Sequence, residues 1–155
     1  MRLFFNLFLI LQSYLFFAQN THDLKRDSLV EFAKKQLGVP YRYGTAIPGK
    51  SFDCSGFTNY VYTSFGIASP RVSSGFLQFG TLIPIQECQK GDCIIFTGTN
   101  ITNRSAGHVG IVIENKDGNI EFIHCSSSSK HNGVVITNLQ SSNYRLRFLQ
   151  ARRIL

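Results

Sequence analysis

Phe52-Asp53-Cys54-Ser55-Gly56-Phe57 joins a loop rich in glycine and proline to a stretch where Phe57, Tyr60, Val61 and Phe65 recur at helical spacing. The cysteine therefore opens an amphipathic helix from about Cys54 to Phe65, with Gly66 as its stop. A thiol at that point feels the positive end of the helix dipole, which favours thiolate and prepares a nucleophile. A small buried side chain has the same local pattern, so the rest of the chain has to supply a base and a binding surface.

Upstream, residues 23–37 form a first helix with Leu24, Val30, Ala33 and Leu37 as its apolar stripe and Gly38 and Pro40 as its stop. Ser28 and Glu31 have capping-box spacing, which leaves open a start of the regular helix at Ser28. Residues 38–51 are an irregular loop. Tyr41 within it is assigned to packing, and Tyr43 to the cleft beside Cys54, because the loop runs directly into the cysteine helix. Downstream, a Pro70-Arg71 turn precedes a short helix over Val72–Gln78, capped by Ser73 or Ser74.

From Lys90 onward the period changes to that of strands. Cys93–Thr97, His108–Glu114, Ile120–His124, Val134–Thr137 and Arg147–Arg153 are β-prone runs, and Asn115-Lys116-Asp117-Gly118-Asn119 is a hairpin turn. Ser126–Ser129 reads as a polar loop. Helices first and strands afterwards give an α+β domain, with N-terminal helices packed on a mostly antiparallel sheet of five to six strands.

The 155 residues suffice for one domain, and 43% hydrophobic with 16% charged content describes a globular chain. A formal charge of +7 favours anionic partners. The absence of an Arg/Lys-dense helix or a nucleic-acid module argues against nucleic acid. Leu3 to Phe17 is an apolar run behind Arg2, with Ala18-Gln19 as a cleavage point, so 1–18 is expected to be a signal peptide and 19–155 one exported domain. Its charge would be +6 after loss of Arg2, and it would be periplasmic or extracellular, monomeric and without stable membrane association. Of the four cysteines, Cys93 and Cys125 sit in strand patterns and are assigned to the core, and no pairing with Cys88 is favoured. No Cys or His spacing suits a metal, and no cofactor is expected.

Two histidines complete the chemistry. His108 opens one strand and His124 closes the next, so an antiparallel hairpin makes them neighbours at one edge of the sheet. Alternation puts His108, Gly110 and Val112 on one face, which is expected to meet the helices and bring His108 toward Cys54. A thiol, a histidine to share its proton and a third group to hold the imidazole are what acyl transfer through a cysteine requires. Full ionisation of the thiol gains only roughly 30-fold at pH 7. Positioning and an oxyanion donor, the N–H of Cys54, must supply the remainder.

Pro40-Tyr41-Arg42-Tyr43-Gly44, Phe52-Asp53-Cys54-Ser55-Gly56-Phe57, Pro70-Arg71, Gly91-Asp92, Gly107-His108-Val109-Gly110-Ile111 and Phe122-Ile123-His124, in that order, resemble the NlpC/P60 family of papain-like cell-wall cysteine peptidases. The resemblance runs from about residue 28 to 153 and implies hydrolysis of peptidoglycan stem peptides, commonly between γ-D-glutamate and a diamino acid. It implies Cys54 as nucleophile, His108 as base and His124 as the orienting residue, with Tyr43, Asp53, Ser55, Arg71 and Ser73 at the substrate site. Asp53 would suit a substrate ammonium. An amidase or acyl transferase on the same Cys-His site, or an inactive wall-binding module, are the alternatives. Thr97–Gly107 is longer than the family's shortest versions and is expected to rim the cleft, and Gln78 falls late after Arg71. No wall-binding domain pattern precedes the catalytic unit, so the positive charge is expected to aid wall attraction.

Overall fold

A computed structural model describes residues 21–155, so the expected signal peptide lies outside the described residues. Helix α1 occupies 21–34, and its buried face is Arg26, Leu29, Val30 and Ala33, at i, i+3, i+4 and i+7. The expected stripe was wrong at both ends. Leu24 is six residues before Val30 and so points to the other side of a 3.6-residue helix, where it is 61% exposed. Leu37 lies past the helix, in a turn tightened by Gln36 N–H to Ala33 O and Leu37 N–H to Lys34 O. Ser28 is within the helix, its hydroxyl donating to Leu24 O at 2.8 Å, so it caps nothing.

Strands β1 (Ala46–Ile47) and β2 (Ser51–Phe52) form a small hairpin that delivers the chain to helix α2 (Cys54–Ser64). Asp53 is the N-cap of α2, accepting from Gly56 N–H at 2.6 Å. A side chain at Gly56 would meet Thr45 O at 2.3 Å, so only glycine lets the loop lie across the start of the helix. Phe57, Val61 and Tyr62 are buried, and past the end of α2 at Ser64 the chain turns away through Gly66, whose φ is +74°. Residues Ser73–Gln78 form a tight 3₁₀ turn instead of a capped helix: Val72 precedes it and supplies no side-chain cap.

The sheet contains β3 (Thr81–Ile83), β4 (Cys93–Thr97), β5 (Ala106–Lys116), β6 (Asn119–Ser127), β7 (Asn132–Asn138) and β8 (Phe148–Arg153). Its order is β3-β8-β4-β5-β6-β7, and every pair is antiparallel. The expected α+β architecture is present, with β3 as a strand the hydrophobic pattern missed. Ser126 and Ser127 belong to β6, pairing with Gly133 and Asn132, and are not loop. Both faces of the sheet are covered. Cys93, Ile95, Val109 and Ile111 pack with Leu29, Phe57 and Val61 of the helices. Ile94, Phe96, Val112 and Phe122 form a second core, closed by Leu139, Phe148 and Tyr144 of the one-turn helix α3 (Tyr144–Arg147).

Asp92 fastens helix α1 to the last strand, β8. Its fully buried carboxylate pairs with Arg26 of α1 at 3.2 Å and Arg153 of β8 at 3.1 Å, and accepts from Gln89 N–H. All four cysteines are buried and free.

Candidate active site

Cys54 sits at the first position of α2, 7% exposed, at the floor of a cleft of about 530 Å³. Its Sγ lies 3.6 Å from the Ser73 hydroxyl and 4.0 Å from the carbonyl of Gly107, and the backbone N–H groups of Ser55 and Val109 also point at it. Burial pushes the thiol above its ordinary value and the nearby Asp53 carboxylate adds to this, against the opposing pull of the Ser73 hydroxyl and the two N–H groups. The resting site therefore holds a neutral thiol. Desolvation is the largest of these effects, and it opposes the pull of the helix start toward thiolate.

Six of the expected site residues line this one cleft: Tyr43, Asp53, Cys54, Ser55, Arg71 and Ser73. Tyr43 stands at the rim, 87% exposed. Asp53 and Arg71 form a bidentate pair at 2.8 and 3.0 Å, and Ser55 bridges them, donating to Asp53 Oδ1 and accepting from Arg71, each at 3.2 Å. Oδ1 of Asp53 also accepts from Gly56 N–H at the helix start, while Oδ2 accepts from Arg71, so the carboxylate lines the cleft already paired with one cation. Tyr41, assigned to packing alone, is half-buried and also lines the cleft. Its phenol is pushed up by burial and by the groups of Cys54 and Asp53, so it keeps its proton and can donate.

His108 and His124 lie just behind this wall, 6% and 1% exposed. The face that carries them is not the one that meets α2. Val109 and Ile111 point to the helices, while His108, Gly110 and Val112 point to the second core. A side chain at Gly110 would come within 2.8 Å of Phe122 and 3.1 Å of His124 Cβ, so glycine makes room for the second imidazole, not for a helix. The pairing of β4 with β5 jumps from Phe96↔His108 to Thr97↔Ala106, leaving Gly107 as a bulge immediately before His108. The bulge turns the Gly107 carbonyl toward the thiol, and His108 follows it.

The imidazoles form a relay. His108 Nε2 and His124 Nδ1 are 2.8 Å apart, and His124 Nε2 is 2.9 Å from the hydroxyl of Thr137 on β7. Burial drives both below the ordinary histidine range, helped by the positive charge of Arg147; His124 falls to about 3 and His108 moves strongly in the same direction, its partner imidazole adding to the effect. Both rings are neutral at pH 7. With Nε2 engaged by His124, only Nδ1 of His108 is left for a proton from outside the relay. Among the described residues the thiol's own hydrogen bonds go to Ser73, Gly107 and the two N–H groups, and none to His108.

Thr137, Tyr144 and Arg147 were not anticipated. The β6–β7 register sets Thr137 opposite Phe122, diagonal to His124, a relation visible only once the strands are paired. Among the described residues no group of three or more His, Cys, Asp or Glu side chains is placed to hold a metal ion.

The profile of the NlpC/P60 family matches residues 38–153. The chain is 38% identical over 130 residues to a γ-D-glutamyl-L-lysine dipeptidyl-peptidase of Bacillus cereus, covering 83% of this chain and 36% of that protein. It is 34% identical over 134 residues to the murein DD-endopeptidase MepS/murein LD-carboxypeptidase of Escherichia coli, covering 86% and 64%. The crystal structure of an NlpC/P60 family protein from Bacillus cereus superposes with a TM-score of 0.73 at 33% identity, covering 84% of this chain and 40% of that one. The chain thus spans from about a third to just under two thirds of the length of these relatives.

Proposed function

The chain belongs to the NlpC/P60 family, and from that premise we propose that it is a cysteine endopeptidase that hydrolyses peptidoglycan stem peptides, at the bond between γ-D-glutamate and a diamino acid. The observation that carries this reading is the relay His108–His124–Thr137 ending one residue from the carbonyl that touches the Cys54 thiol.

In this reading His108 Nε2–H donates to His124 Nδ1, and His124 Nε2–H donates to Thr137, which leaves Nδ1 of His108 unprotonated. Substrate entry draws the thiol off Ser73 and toward that nitrogen, as catalytic hydrogen bonds often tighten only in the complex. Nδ1 takes the Sγ proton while sulfur bonds to the carbonyl carbon, and the carbonyl oxygen becomes an oxyanion. The helix-terminal N–H of Cys54, which has no intrahelical partner, and the Tyr41 phenol are its candidate donors. When the C–N bond breaks, the amine leaves with the proton from Nδ1. Because its environment resists charge, the His108 imidazolium is a strong acid for this step. Water then gives a proton to Nδ1 and displaces sulfur from the thioester, and sulfur recovers the proton. Tyr43, Asp53, Ser55, Arg71 and Ser73 are the residues assigned to substrate, with Asp53 also holding Arg71 in place.

The same proposal takes 1–18 as a signal peptide and 19–155 as a monomeric catalytic domain acting outside the cytoplasm. Digestion of defined muropeptides followed by mass spectrometry tests the activity. The expected product pair is an L-alanyl-γ-D-glutamyl fragment and a peptide with a new diamino-acid amine, lost entirely in Cys54→Ala. Release of intact stem peptide from glycan would make the enzyme an amidase. Equal digestion by Cys54→Ala would overturn the assignment of the nucleophile.

A further inference from the structure

Helix α3 is a single turn between β7 and β8, yet it makes the closest aromatic contacts to the histidine pair from outside the sheet. The Tyr144 ring lies 5.3 Å from that of His108 and 4.9 Å from that of His124, closing the box begun by Phe96 and Phe122. Arg147, one turn on, seats its guanidinium 4.6 Å from the centre of the Tyr144 ring and donates from Nη2 to the carbonyl of Thr97 at 2.9 Å. Thr97 is where β4 meets the Gly107 bulge, so the same arginine ties the tyrosine to the strand junction beside His108. Its Nε is buried without a hydrogen-bond partner, one of two such side-chain atoms among the described residues. An unpaired buried donor costs about 1–3 kcal/mol. An aliphatic side chain would avoid that cost but lose both the Thr97 bond and the charge, which are the two properties that distinguish arginine here.

We propose that Arg147 is a positioning residue for the proton relay: through Tyr144 and the Thr97 carbonyl it holds the box around His108 and His124, and it sets a fixed positive charge beside them. The inference rests on reading that pair as the relay. The groups facing the imidazoles are few. From α3 they are Tyr144 and Arg147, from β7 Thr137, and from α2 the Cys54 thiol beyond Gly107. Tyr144 is pushed upward by burial and stays neutral. Among the described residues no carboxylate acts on either histidine, and Arg147 is the one fixed charge that acts on both.

The test is the imidazole titration of the full ¹⁵N-labelled chain, followed by NMR, beside the pH profile of kcat/KM on a muropeptide. In Arg147→Met both the His124 titration and the acid limb are expected to move up by roughly half to one pH unit. Arg147→Lys, which keeps the charge, should leave both near their wild-type positions; Arg147→Gln serves if the Met variant does not fold. An unmoved titration in the uncharged variants, or the same displacement in the Lys variant, would overturn the proposal. A titration that moves while no substrate is cleaved would uphold the inference and sink the enzymatic reading.

Discussion

Thr137 makes a single hydrogen bond that matters here, to His124 Nε2, and that bond anchors the second imidazole of the relay. Thr137→Val keeps the shape and removes the hydroxyl, so His124 Nε2 loses its partner and the ring its anchor. Losing a hydrogen bond worth about 1.4 kcal/mol should lower kcat roughly tenfold with KM little changed, as steady-state kinetics would measure. Cys54 could be picked out in the sequence because it opens an element with a clear period, and the histidines because a hairpin turn sets their two strands antiparallel, although His108 and His124 stand inside β5 and β6 and not at their ends. Thr137 could not, since its relevance depends on strand register. The thiolate expected at Cys54 rested on the local helix dipole, whereas the burial that pushes the thiol up depends on packing that only the fold supplies.

Among the elements, β4 was readable to the residue, because Cys93–Thr97 is an unbroken apolar run flanked by turn chemistry and buried on both faces. Helix α1 was located but misphased by including Leu24 and Leu37 in its stripe. Strand β3 and helix α3 escaped notice, being three and four residues long and held by neighbours instead of by their own pattern. The joint between α1, β8 and the turn before β4 rests on Asp92. Asp92→Asn would leave Arg26 and Arg153 close together without their counterion, and should cost about 3–5 kcal/mol in urea unfolding. A loss below about 1 kcal/mol would mean that the two arginines find other partners.

For the molecule as a whole, the neutral histidine pair couples stability to pH. His124 titrates at about 3 when folded and near 6.5 when unfolded, so between those values the unfolded chain binds more protons. The contribution is fully present above pH 6.5 and fades as pH falls toward 3, up to roughly 5 kcal/mol for this one group. Thermal melts from pH 7 to pH 4 should show a falling Tm. His124→Asn should flatten that slope, and a wild-type Tm that is constant over the range would place charged imidazoles in the folded state.

The buried, protonated thiol has a further consequence, for chemical endurance. Peroxide attacks exposed thiolates, climbing from sulfenic to irreversible sulfinic and sulfonic acids, and disulfide exchange begins from the same anion. Cys54 offers little anion and little surface while idle, and Cys88 and Cys125, pushed up to about 12 by burial, offer less still. In the proposed extracytoplasmic setting, where no glutathione pool repairs oxidised sulfur, a nucleophile that becomes reactive only when substrate draws it toward His108 would outlast one kept permanently ionised.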